Sequence, residues 1–149
     1  MNILSIATSG LSAASLRVSV VASNIANVNT TGPLPASSGS GTPAGAASPS
    51  ISPTFPPAYV PLQVNQVDQS SGSTPGGTVA SVSTVSPSYT AQYDPSAAFA
   101  NQDGLVAAPN VDLTDQFVQL ATAKYSLIAN AKVIQAYSET TEALLDIKT

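Results

Sequence analysis

The 149-residue chain has no cysteine, no histidine and no tryptophan, and only 8% of its residues are charged. About 25% charge is usual in a soluble domain. Without cysteine there is no disulfide framework, and without cysteine or histidine no thiolate or imidazole metal site. Neither a Ser-His nor a Cys-His nucleophile pair can be built. Four basic residues against eight acidic ones give a net charge of -4. That balance argues against nucleic acid as a partner, because such proteins neutralise phosphates with Lys and Arg. No run of 18 consecutive apolar residues occurs, so no membrane span is expected. The opening Met1-Asn2-Ile3-Leu4 lacks a basic n-region, and Arg17 lies inside the apolar pattern, so no cleaved signal peptide is expected. The missing cysteine suits an extracytoplasmic location as well as a cytosolic one.

Helix breakers divide the chain into three parts. All 12 prolines lie between Pro33 and Pro109, and eight of the nine glycines between Gly32 and Gly104. The ends can therefore be long helices and the middle cannot. No Lys or Arg occurs between Arg17 and Lys124. The division predicts an N-terminal helix in residues 1–32, an irregular and partly β middle in 33–109, and a C-terminal helix in 110–149.

In the first part Leu4, Ala7, Leu11, Ala14, Val18, Val21, Ile25 and Val28 recur in steps of three and four. That is a heptad seam held for nearly four repeats. The opposite face carries Ser5, Ser9, Ser12, Ser19 and Ser23. The pattern predicts a helix from about Ile3 to Asn29, stopped by Gly32 in a left-handed C′ position and by Pro33.

The last part predicts a second helix after Pro109, with Asp112 as N-cap and Asp115 in the first turn, where the helix dipole favours negative charge. Its seam runs Leu113, Phe117, Leu120, Leu127, Ala131, Ile134, Thr141 and Leu145, with Lys124 and Ser138 in two seam positions. Ala123, Asn130, Tyr137 and Leu144 form a neighbouring stripe. Lys148 suits the negative pole of the dipole at the far end. With Ser-rich outer faces and few ion pairs, both helices must gain most of their stability by burying these seams. Packing against each other as an antiparallel coiled-coil hairpin, or against neighbouring subunits, would do so. A two-helix core of an ordinary domain is the plainer alternative.

The middle has only 16 large apolar residues among 77, too few for a strong core of its own. Residues 35–57 are low-complexity Ser, Gly, Ala and Pro, a linker composition. Residues 59–67 and 78–85 have strand character and predict a small β-hairpin joined by a turn-rich loop over 71–77.

No chemical constellation stands out. Asp112/Asp115 and Glu139/Glu142 are carboxylate pairs at i,i+3, explained more simply by capping and solvated faces than by glycosidase chemistry. The glycine-rich 71–77 stretch lacks the lysine and following helix of a phosphate loop. The five tyrosines are scattered and read as packing residues. Asn24, Asn27 and Asn29 cluster at the end of the first helix, where polar capping is the simplest account. The reading is of no enzyme, no cofactor, no metal and no small-molecule substrate.

Two motifs carry a family resemblance. Ser9-Gly10-Leu11-Ser12-Ala13, then Arg17, then Ala22-Ser23-Asn24-Ile25-Ala26-Asn27-Val28-Asn29-Thr30-Thr31-Gly32 resembles the N-terminal signature of bacterial flagellar rod and hook proteins. Asn110-Val111-Asp112-Leu113, with Ala129-Asn130-Ala131-Lys132-Val133-Ile134 and Leu144-Leu145-Asp146-Ile147, resembles the matching C-terminal signature. Residues 93–112 resemble the approach to that helix in a proximal rod protein, and the short chain agrees. Residues 33–57 depart from the pattern, which usually has a shorter connection.

The resemblance implies a structural subunit of the basal-body proximal rod, exported unfolded through the flagellar type III apparatus without signal cleavage. It implies assembly into a helical tube across the periplasm, with copies of itself and other rod proteins, and the departing stretch 33–57 is where contact with surrounding ring proteins or the cell-wall layer is to be looked for. Leu4, Leu11, Val18, Val21, Ile25, Phe117, Leu120, Leu127, Ile134 and Leu145 are then the expected interface. Asn24, Asn27, Asn29, Gly32, Asn110, Asp112 and Asn130 carry the family motifs. A secreted helical effector or regulatory module docking on a single partner is the rival reading.

Overall fold

The computed structural model describes residues 3–35, 55–69 and 76–147. Most of the low-complexity linker, most of the loop over 71–77, and Lys148 lie outside the described residues. Among the described residues six elements follow in order: α1 (Ile3–Ala26), β1 (Leu62–Asp68), β2 (Thr78–Thr84), β3 (Tyr89–Tyr93), β4 (Leu105–Pro109) and α2 (Leu113–Asp146).

The helices form where breakers are absent. α1 spans 24 residues and α2 spans 34, about 36 and 51 Å of axis. α2 opens on Asp112 in extended conformation, whose carboxylate accepts from the backbone of Thr114 at 2.8 Å and of Asp115 at 3.4 Å. The cap read from the sequence is thus in place. α1 ends at Ala26 rather than near Asn29, and residues 27–29 form a turn. The reason is local: the Asn27 amide turns back on the Ser23 carbonyl at 2.9 Å, and Thr30 donates its backbone N–H to the Asn27 carbonyl.

The two helices pack antiparallel. The Asn24 side chain near the end of α1 meets Gln116 near the start of α2, while Gly10 near the start of α1 faces Asn130. Only seven residues of α1 precede Gly10, but sixteen of α2 follow Asn130, so α2 extends past its partner. Every residue of α2 from 135 onward is exposed.

Among its described residues the middle holds two antiparallel two-stranded sheets. β1 pairs with β2 from Leu62↔Thr84 to Asp68↔Thr78, the hairpin expected from the sequence. It lies against α1: the Arg17 guanidinium donates to Gln66 Oε1 at 2.8 Å, and the Thr78 N–H donates to Ser9 Oγ at 3.2 Å. Gly76 and Gly77 enter β2 with φ of 113° and 103°, backbone that glycine adopts without a Cβ clash.

The second sheet was not expected. β3 pairs with β4 from Tyr89↔Pro109 to Tyr93↔Leu105. Its connection is organised by side-chain oxygens: Asp94 accepts from the Ser96 N–H and hydroxyl, and Asn101 from the N–H groups of Asp103 and Leu105. On its other side β4 forms a bridge, with Gly32 and Ala107 exchanging both backbone hydrogen bonds at 2.9–3.0 Å. That bridge ties the exit from α1 to the entry into α2.

The buried apolar residues are mostly small: Ala7, Ala13, Ala14, Val20 and Val21 on α1, Ala123 on α2, and Val106, Ala107 and Ala108 on β4. Small side chains let backbones approach closely, so α1 sits between α2 and the β1–β2 hairpin. By length and composition alone α1 is long and apolar enough to cross a bilayer. The absence of an unbroken apolar run did not anticipate this. Here α1 packs against α2 on one side and the β1–β2 hairpin on another, with Ile3, Leu4 and Ile6 left exposed.

Candidate assembly interface

Asn24 is the best-connected side chain of the terminal pair. It is 2% exposed, and its amide makes four hydrogen bonds. Nδ2 donates to the Leu62 carbonyl at 2.8 Å and to Gln116 Oε1 at 3.0 Å. Oδ1 accepts from the Leu62 N–H at 3.0 Å and from the Tyr59 hydroxyl at 3.1 Å. The Leu62 backbone fixes the orientation, since its N–H must meet an oxygen and its carbonyl a nitrogen. Tyr59 is held in turn by Ser23 Oγ at 3.0 Å. No buried side-chain nitrogen or oxygen among the described residues lacks a partner. Asn24 is thus a buried clamp joining α1, α2 and the start of β1. Capping, the simpler reading of this cluster, describes Asn27 but not Asn24. Asn29 is exposed.

Gly32 is not the left-handed C′ residue that the sequence suggested. Among the described glycines, positive φ belongs to Gly76, Gly77 and Gly104. A Cβ on Gly32 would collide with the Ala58 backbone nitrogen and lie 2.6 Å from the Pro57 carbonyl carbon. The glycine is demanded by the close passage of residues 56–58 over the Gly32–Ala107 bridge. Asn110 holds the turn before α2, its amide donating to the Pro87 carbonyl at 3.0 Å and its N–H to the Ser88 carbonyl. Asn130 donates to the Ser126 carbonyl at 2.9 Å while facing Gly10.

The seam residues fall into two sets. Val21 is buried, and Leu11, Val18, Ile25, Leu120, Leu127 and Ile134 are half-buried. Leu4, Phe117 and Leu145 are exposed, at 37%, 57% and 72%. On α2 the buried line passes through Gln116 and Ala123 and continues to Asn130, one helix position from the Leu120–Leu127–Ile134 line. On the far side of α2, Phe117, Val118, Tyr125 and Ile128 form a second, exposed apolar stripe. Sequence reading missed Gln116, Tyr59, Ala13 and Val20. Gln116 was findable, because it sits seven residues before Ala123 in the Ala123–Asn130 stripe. Tyr59 was not, because nothing local marks a tyrosine that reaches a helix 35 residues away.

The chemistry of this surface is that of packing. Among the described residues no group of three or more carboxylates is placed to hold a metal. Asp112, Asp115, Glu139 and Glu142 are all exposed.

Comparison with known proteins matches both ends. A family model described as flagella basal body rod protein matches residues 4–33. A second, described as the flagellar basal body rod FlgEFG protein C-terminal region, matches residues 102–147. The flagellar basal-body rod protein FlgC of Salmonella typhimurium and that of Salmonella typhi are each 35% identical over 135 residues, covering 90% of this chain and 87% of theirs.

Proposed function

This chain belongs to the flagellar basal-body rod proteins, and on that premise we propose how its parts serve a rod. It is a structural subunit of the flagellar basal body, not an enzyme, and it assembles with copies of itself and with other rod components. The single-partner effector reading is not favoured.

We propose that residues 1–32 and 110–149 pack as a coiled-coil pair that forms the axial-tube core, with residues 33–109 projecting outward. In this reading Leu4, Leu11, Val18, Val21 and Ile25, with Phe117, Leu120, Leu127, Ile134 and Leu145, divide between the internal helix contact and contacts to neighbouring copies. The observation that carries it is the apolar surface left over after the helices pair, at Phe117, Val118, Tyr125, Leu144 and Leu145. Large apolar side chains left exposed along one helix are the kind of surface that partners cover. Heterologous contacts that do not close generate a helical tube rather than a ring. The rod so formed would cross the periplasm, transmit torque and enclose an export channel.

The proposal extends to delivery. The subunit passes unfolded through the flagellar type III apparatus, with no signal peptide removed, and meets the surrounding ring proteins once in place. Low charge and a core of small residues favour this, since little stability has to be undone before transit. Phe117→Asp and Leu145→Asp test the assembly surface. Each places a charge on a residue exposed in the single chain, so helix content is expected to remain while rod assembly and motility are lost. Full motility in both variants would overturn the assignment.

A further inference from the structure

Two contacts between α1 and α2 are not ordinary seam contacts. At one, the Asn24 amide donates to Gln116 Oε1 in a buried setting. At the other, a Cβ on Gly10 would lie 2.7–3.0 Å from the Asn130 amide group, so a larger residue there obliges that amide to move. The intervals match: residues 10 to 24 on one helix and 116 to 130 on the other are both fourteen apart. That is two heptads, about 21 Å along each axis.

The rest of the seam has little power to choose a register. On α1, Ala7, Ala14 and Val21 recur every seven residues, so a slip of one heptad replaces one small side chain by another. The hydrogen bond at Asn24 and the close approach at Gly10 do not tolerate the same slip. Bringing Ala123 opposite Asn24 removes the Gln116 acceptor and leaves a buried amide hydrogen unpaired. The same movement sets Tyr137 against Gly10 and Asn130 against Arg17. A slip in the other direction carries Asn24 past the start of α2 toward Pro109.

We infer that the Asn24–Gln116 and Gly10–Asn130 contacts are a pair of register pins. They select one antiparallel alignment of the terminal helices from a set that small-residue packing leaves nearly equivalent. A buried polar side chain in a helical seam acts in this way at some cost in stability. The alignment decides how far α2 projects beyond α1, and so where the exposed Tyr137, Leu144 and Leu145 lie relative to α1. This does not depend on how copies assemble, because it concerns a contact within one chain.

The chain has no native cysteine, so introduced thiols are the only ones that react. Ala14→Cys with Ser126→Cys reports the observed register, and Ala14→Cys with Val133→Cys reports a slip of one heptad. In the otherwise unchanged full-length chain, oxidation is expected to join the first pair about tenfold faster than the second. Adding Gln116→Leu and Asn130→Ala, with Asn24 kept to hold Leu62, is expected to bring the two rates within about threefold of each other at unchanged helical circular dichroism. An unaltered ratio overturns the inference. So does loss of helix in place of slippage, because the groups would then be stabilisers only.

Discussion

Asn24 and Gln116, 92 residues apart in sequence, meet through a 3.0 Å hydrogen bond in the interior of the helix pair. Both are buried, at 2% and 7% exposure, and the Asn24 amide also holds both backbone groups of Leu62. One side chain thus fixes the relative placement of α1, α2 and the first hairpin. Its removal leaves the Leu62 N–H and carbonyl and the Gln116 side chain without their protein partners.

Asn24→Ala is therefore expected to destabilise the chain by about 3 kcal/mol, or roughly 10 °C in Tm. Asn24→Asp keeps the shape but replaces a donor by an oxygen facing two acceptors, and is expected to be at least as damaging. Thermal melts followed by far-UV circular dichroism measure both. A change below about 1 kcal/mol would show the clamp to be dispensable.

Gly32→Ala tests the passage of residues 56–58 over β4. The added methyl meets backbone, not a flexible side-chain end, so relief requires the bridge to Ala107 to open. A loss of about 1–3 kcal/mol is expected. Hydrogen exchange should localise it to the Ala107 amide, with α2 beyond Asn130 unaffected.

Asp112→Ala removes the acceptor of the Thr114 and Asp115 amides and is expected to cost about 1 kcal/mol. Asp112→Asn keeps an acceptor oxygen and should recover most of that loss. Equal stability of the two variants in chemical denaturation would mean that the carboxylate charge, not the cap, matters there.

Val21 and Phe117 separate folding from assembly. Val21 is 1% exposed, so Val21→Ala opens a small cavity and is expected to cost about 2 kcal/mol in the single chain. Phe117 is 57% exposed, so Phe117→Ala should leave the melting temperature within about 1–2 °C of the parent while weakening copolymerisation with rod components. Sedimentation of assembled material against the melting curve distinguishes the two effects.

The two helices were legible because their signals are local. Breaker-free ends, a period of three and four, and an aspartate before the first turn specify helix without reference to the rest of the chain. The alternating strands 59–67 and 78–85 were legible in the same way. The β3–β4 sheet was not. Leu105, Val106, Ala107 and Ala108 are too small and too evenly apolar to show alternation, because β4 is covered on both faces and nearly all of it is buried. The helix faces were half legible. The heptad gave Ala7, Ala14 and Val21, but burial of Ala13, Val20 and Asn24 follows from a second neighbour, the β1–β2 hairpin, whose position no periodicity within α1 encodes.

Composition and periodicity alone determined that this is a chain of two long terminal helices around a breaker-rich middle, without the residues for the common forms of catalysis. Residue order at both ends marked its family. Tertiary structure decided the rest: which stripe of α2 faces α1, that Asn24 is a clamp and not a cap, and that Gly32 answers a passing backbone. The physical reason is distance along the chain. A helix or a cap is settled by groups within a turn of each other, whereas Asn24, Tyr59 and Gln116 acquire their meaning only when folding brings them within 3.1 Å.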